Sequence, residues 1–309
     1  MTYRSARLRA ALPIRRPCES RDPVMEALNR ASQHAPQAAR VLRARLLRRE
    51  GKPAEALALL ASESDKGTLT PGGWRELAQA ALESGDLARA RATLEPLHKS
   101  GALGSRAYAA LEAQVLAATL QAAPDGAALN ALWSQMPKAQ RRVPAVVDAY
   151  ARRASSFGLV LPAMDELESA LRREWSPLLI ATYGSLAGDD VEPRLRRAEG
   201  WLDAHPNDAP LLLTLGRMCV RLKLWGKAHQ YLQRSLELMP GAAAWEARGD
   251  AFAGQGDAAQ AQRCYRNALA LARGDAIAPL AASANPQQPD THPIAIEERD
   301  AHGVPRLRE

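Results

Sequence analysis

One spacing recurs along this chain. Gly51, Gly85, Gly158 and Gly256 each close a run of helix-forming residues, and each is followed five residues later by alanine, at Ala56, Ala90, Ala163 and Ala261. Gly51 and Gly85 stand 34 residues apart, and the intervals from Gly216 to Gly249 and from Ala228 to Ala261 are both 33. A period of that length fits one helix–turn–helix unit per repeat. A single such unit buries too little apolar surface to persist, so the chain must stack its units and draw stability from the interfaces between neighbours. Composition points the same way. Apolar residues make up 47% and charged residues 24%, but aromatics only 5%, with two Phe; a chain built on Ala and Leu favours helix over sheet.

The last two units carry the pattern most fully. Trp245, Gly249, Phe252, Gly256, Ala261, Tyr265 and Ala268 match the tetratricopeptide signature in order, and Leu212, Leu215, Gly216, Cys219, Ala228, Leu232 and Pro240 match it one unit earlier. Trp74, Leu77, Ala78, Gly85, Ala90 and Leu94 form a weaker unit, and Ala44, Gly51, Ala56 and Leu60 another. Further starts fall near Ser105, Pro144 and Pro177. The expected fold is all-α, a right-handed superhelical tetratricopeptide (TPR) solenoid of about seven units. In such a unit the small eighth and twentieth positions let the two helices approach, and the large apolar positions fill the space between units.

The expected organisation is a basic, poorly ordered leader over 1–36, an N-terminal array over 37–122, a degenerate connector over 123–143 rich in turn residues (Pro124, Asp125, Gly126, Pro137), a C-terminal array over 144–274, and a disordered, Pro- and Gln-rich tail over 275–309. Residues 1–50 hold twelve Arg, no Lys and four acidic residues, so the chain's net charge of +7 resides in this stretch and the remainder is close to neutral. Such a leader can be drawn to an anionic membrane surface. No zinc-finger spacing, helix-turn-helix signature or aromatic interleaving accompanies it, and nucleic acid is not an expected partner.

Catalysis is not expected. The six His are scattered, no Ser or Cys stands in a nucleophile-elbow context, and no glycine-rich loop precedes a Lys-Ser/Thr pair. Cys18, Cys219 and Cys264 form no C-x-x-C pair, which fits a reducing compartment and no metal site. Without a long apolar run, the expected location is cytoplasmic.

Positions 2, 5, 9, 12 and 13 of the first helix of each TPR unit line the concave groove. Here they fall on Arg45, Arg48, Arg49, Arg75, Arg152, Arg217 and Arg221, alongside Asp148, Glu246 and Asp250. Guanidinium forks hold carboxylates bidentately, so the expected site is an arginine-lined groove for a peptide C-terminus, an acidic helix or propionates. Trp74 and Trp245 fall at the fourth, core position, whereas Trp225 lies at a turn and is the candidate for a surface role.

The run through Trp175, Tyr183-Gly184, Ala198-Glu199-Gly200-Trp201-Leu202 and His205-Pro206 resembles the HemY family. So does its continuation through Leu211–Cys219, Leu224-Trp225-Gly226-Lys227-Ala228 and Tyr231-Leu232. Leu97–Leu103 and Trp133 before Met136-Pro137 are similar to it as well. The resemblance spans roughly residues 37–273. It implies a non-enzymatic bacterial TPR protein linked to haem biosynthesis, at the cytoplasmic face of the inner membrane, scaffolding or regulating late haem-pathway enzymes. HemY proteins begin with a pair of hydrophobic helices. The Arg- and Pro-rich leader stands in that place here, so any membrane contact of this chain is expected to be peripheral. No resident cofactor is expected, but the resemblance raises an alternative function, direct haem or porphyrin binding with an axial ligand from His205, His229 or Cys219.

Overall fold

The structure, a computed structural model, describes residues 21–188, 191–277, 297–299 and 305–307. Among these are fifteen α-helices: α1 (Arg21–His34), α2 (Pro36–Arg49), α3 (Pro53–Asp65), α4 (Pro71–Ser84), α5 (Leu87–Ser100), α6 (Ser105–Gln121), α7 (Gly126–Gln135), α8 (Pro144–Ser156), α9 (Val160–Arg173), α10 (Pro177–Ser185), α11 (Val191–Gly200), α12 (Ala209–Arg221), α13 (Trp225–Leu238), α14 (Ala242–Gly254) and α15 (Ala258–Arg273). Single 3₁₀ turns lie at Gln140–Arg142 and Trp201–Asp203. The chain forms two compact units, Met1–Val115 and Leu116–Glu309, dividing within α6.

Local sequence explains where the helices begin and end. Proline opens α2, α3, α4, α8 and α10, where its missing N–H leaves no bond unmade. Gly85 (φ 81°) and Gly256 (φ 85°) take the left-handed conformation between paired helices, and the next residues, Asp86 and Asp257, cap the following helices by accepting from the Arg89 and Gln260 amides. In the α12–α13 turn that left-handed place belongs to Lys223 (φ 58°), the one non-glycine residue with positive φ among the described residues.

Within each unit, neighbouring helices pack in pairs, and the first helix of one pair also meets the first helix of the next. In the N-terminal unit α2 packs with α3 and α4 with α5, and α2 meets α4. Val41, Ala44, Ala56, Leu60, Leu69, Leu77 and Ala80 form one core cluster there. Ala78, Ala81, Ala90, Leu94, Leu97, Leu111 and Val115 form the next. In the C-terminal unit α8 pairs with α9, α12 with α13 and α14 with α15, while α8, α10, α12 and α14 meet in succession. This is an all-α packing compatible with a helical repeat solenoid.

The small residues stand where helices approach most closely. A Cβ at Gly216 would lie 2.5 Å from Leu232 of α13, and one at Gly249 would lie 2.5 Å from the Tyr265 ring of α15. Ala56, Ala90, Ala163, Ala228 and Ala261, on the second helices, are all at most 3% exposed.

Three stretches of the expected organisation take a defined form among the described residues. The leader is not irregular over 21–36: α1 forms there, because Pro23 stands in the first turn, where proline is tolerated, and Leu28 is buried. The connector 123–143 is largely helical; Asp125 caps α7 rather than breaking the chain, accepting from the Ala128 amide at 2.7 Å. In the tail, Glu297–Arg299 (β1) pairs antiparallel with Pro305–Leu307 (β2), although most of 275–309, like residues 1–20, lies outside the described residues.

Gly216→Ala should destabilise the fold by about 1–3 kcal/mol, since the added methyl overlaps Leu232. Gly226→Ala, with nothing within 4 Å of its Cβ, should be neutral or stabilising by up to about 1 kcal/mol. Urea unfolding of the two variants checks the contrast.

Candidate functional site

In the N-terminal unit the arginines of α2 reach an acid on the next first helix. Glu76 of α4 is 2% exposed and accepts from Arg45 Nε at 2.7 Å and from Arg48 Nη1. Arg48 also donates to Gln79 at 2.8 Å, and its Nε and Nη2 fork onto both oxygens of Glu83 at 2.9 and 2.7 Å. Those Glu83 bonds, ahead of the bond to Glu76, raise the Arg48 pKa against the opposing effect of burial. Arg40 binds the buried Glu63 of α3. Arg49 and Arg75 differ from these. Both are exposed, and neither has a partner among the described residues.

In the C-terminal unit Arg152 of α8 bonds Asp148 at 2.8 Å and the Thr182 hydroxyl of α10 at 2.9 Å, and Thr182 in turn donates to Asp148. Arg217 of α12 faces Glu246 of α14 at 3.6 Å, both exposed. Asp250 accepts from the Tyr265 hydroxyl at 2.8 Å. Arg221 has another task. It donates to the carbonyls of Gly184, Leu186 and Gly188 at 3.4, 3.2 and 3.2 Å, at and just beyond the end of α10. Arg194, fully buried on α11, donates to the Leu186 carbonyl at 2.9 Å. Two guanidinium groups thus satisfy carbonyls that a helix end leaves without partners.

The seven arginines therefore divide. Arg45, Arg48, Arg152 and Arg217 bond or face the following first helix, Arg221 closes a helix end, and Arg49 and Arg75 remain available to an anion. Glu76, Thr182 and Arg194 were not among the sequence candidates. Glu76 and Thr182 lie 28–34 residues beyond their α2 and α8 partners, close to one repeat, and that interval was the signal that would have found them.

The haem-ligand candidates serve packing. Cys219 is fully buried on α12, and desolvation pushes its thiol well above the ordinary value, so the ligating thiolate is disfavoured. The His205 ring stacks on Trp175 at 3.6 Å. His229 bonds Gln255 through Nε2 at 2.7 Å, packs on Phe252 at 4.3 Å, and has its Nδ1 buried. Two clefts, of about 460 and 300 Å³, are lined by Trp74, Asp86 and Arg89 among others and by Trp245 and Arg248 among others; none of the three candidates borders either. No group of three or more His, Cys, Asp and Glu residues is placed to hold a metal ion among the described residues. No helix among them is long and apolar enough to cross a membrane. Trp225, half-buried, lays its ring against Gly254 of α14, where a Cβ would come within 2.2 Å of it.

The residues between Trp175 and Leu232 that carry the resemblance make two sets of contacts. Trp175 donates to Asp208 at 2.8 Å and meets Trp201 edge-on at 5.8 Å, and Trp201 packs against Tyr183 at 4.9 Å. The Tyr231 hydroxyl donates to the buried Glu199 at 2.7 Å. No protein-family model matches the chain, and no curated protein sequence matches it.

Burial, reinforced by Arg248, lowers the His229 pKa below its ordinary 6.5, while the Gln255 bond and Asp257 oppose the shift. The neutral ring is the folded form, so its contribution to stability is fully present above the unfolded pKa and is lost as pH falls toward the lower folded value. Between about pH 7.5 and about pH 5 the native chain should lose stability more steeply than His229→Gln, as read from denaturation midpoints.

Proposed function

We propose that this chain is a non-catalytic TPR scaffold of the HemY kind, which docks an acidic segment of a late haem-pathway enzyme on the arginines of its groove. The observation that carries the reading is the pair Arg49 and Arg75. They stand at groove positions of successive units, exposed and without partners, while the neighbouring arginines are held against the next helix. An exposed guanidinium keeps its charge and its planar fork for an incoming carboxylate. The arginine network of α2 and α4 bridges the two helices that present them. The paired helices, the repeat-phase match to the TPR signature and the HemY-like cluster around Trp175 and Trp201 support the family part of the reading. On this reading the protein works at the cytoplasmic face of the bacterial inner membrane, with the basic leader as a peripheral contact.

The full chain, used as bait in a bacterial lysate, should retain late haem-pathway enzymes. The Arg49→Glu/Arg75→Glu variant should retain them about tenfold less or worse, with an unchanged helical circular dichroism spectrum. Equal recovery by both forms contradicts the groove, and absence of those enzymes from the native bait contradicts the pathway.

A further inference from the structure

The seam between α13 and α14 leaves hydrogen-bonding capacity unused. His229 Nδ1 on α13, whose ring packs on Phe252 of α14, and Trp245 Nε1 and Arg248 Nε on α14 are buried polar atoms without a hydrogen-bond partner among the described residues. Folded proteins satisfy most such atoms, and a cluster of exceptions calls for an explanation. Two of these atoms belong to residues that line one cleft, of about 300 Å³, bounded by Gln233, Leu236, Glu237, Trp245 and Arg248.

Trp245 is 7% exposed, yet its indole N–H has no acceptor. Arg248 lies 5.9 Å from the centres of both the Trp245 and Phe252 rings, within cation–π reach. Burial lowers the Arg248 pKa, and no carboxylate is hydrogen-bonded to it. Glu237 at the rim raises that pKa through space, but its oxygens already accept from Gln233 Nε2 at 3.1 Å and Arg234 Nη1 at 3.4 Å. An indole and a guanidinium only donate. A group that completes both must accept hydrogen bonds, and a charged acceptor bonds a guanidinium most strongly; Leu236 with the Trp245 ring offers an apolar wall beside it.

We infer that this cleft binds a carboxylate carried on an apolar group, held by the Trp245 indole N–H and the Arg248 guanidinium. The site is separate from the proposed groove and does not rest on that function. Trp245, Arg248 and Phe252 share one stripe of α14, whereas Glu246 and Asp250 lie on another. Its size suits a short acid or the last residue of a peptide, the two sources of this chemistry.

The test follows the tryptophan indole N–H resonances of the full chain during titration. The Trp245 signal is the one missing from Trp245→Phe. It should shift saturably with 3-methylbutanoate or N-acetyl-leucine, and should not respond to the corresponding amides. Tighter binding of N-acetyl-leucine assigns the site to a peptide C-terminus; tighter binding of 3-methylbutanoate assigns it to a small acid. Arg248→Met should weaken binding about tenfold or more. No saturable shift, an equal response to the amides, or an equal response to inorganic phosphate overturns the inference. The acid–amide comparison uses the native chain, so it decides the matter even where Arg248→Met fails to fold.

Discussion

The close approach of paired helices is the constraint on which this structure depends. Where α12 meets α13 and α14 meets α15, a glycine on the first helix faces the side chain of the second, and even one added carbon at Gly216 or Gly249 would enter Leu232 or the Tyr265 ring. An alanine on the second helix, at Ala228 or Ala261, keeps the same interface thin from the other side. Only at that separation do the apolar residues of successive first helices come into register. The larger side chains then fill the remaining volume at interior packing density. The size of one residue per helix thus governs the spacing of the array, and the array governs which polar groups face one another.

Polar contacts are built on this spacing. Arg48 reaches Glu76 and Glu83, and Arg152 reaches Thr182, because the first helices of adjacent pairs lie side by side. An arginine at a groove position therefore has two uses, bracing the next helix or receiving a ligand. Which one it serves depends on whether the next helix offers an acceptor. The buried Glu76 draws two guanidinium groups onto itself and leaves Arg49 and Arg75 outside the network. The α13–α14 seam shows the opposite case: the Trp245 indole N–H and Arg248 Nε are in place without an acceptor among the described residues.

Much of the helical pairing was legible in the sequence, because helix stops and close approaches impose residue types that survive in a single chain. Gly85-Asp86 and Gly256-Asp257 can be read as a left-handed stop followed by a cap, and that is their geometry. Lys223 carries no such mark, since a lysine in the left-handed region is fixed by its neighbours. The Pro124-Asp125-Gly126 run reads as a break, yet Asp125 caps a helix that begins at Gly126, and local letters do not distinguish the two. The site was legible in part. Repeat phase located the groove arginines, but whether each is free depends on partners about a repeat away, such as Glu76, and on burial, which hides Arg194 altogether.

The most direct measurement is a double-mutant cycle between Gly216→Ala and Leu232→Ala, read by equilibrium unfolding. If the spacing is set by this approach, removing the leucine side chain relieves the added methyl, and the double variant is more stable than the sum of the single changes by about 1 kcal/mol or more. Additivity within about 0.5 kcal/mol would contradict the account, because it would mean that Gly216 and Leu232 do not share the space on which the array depends.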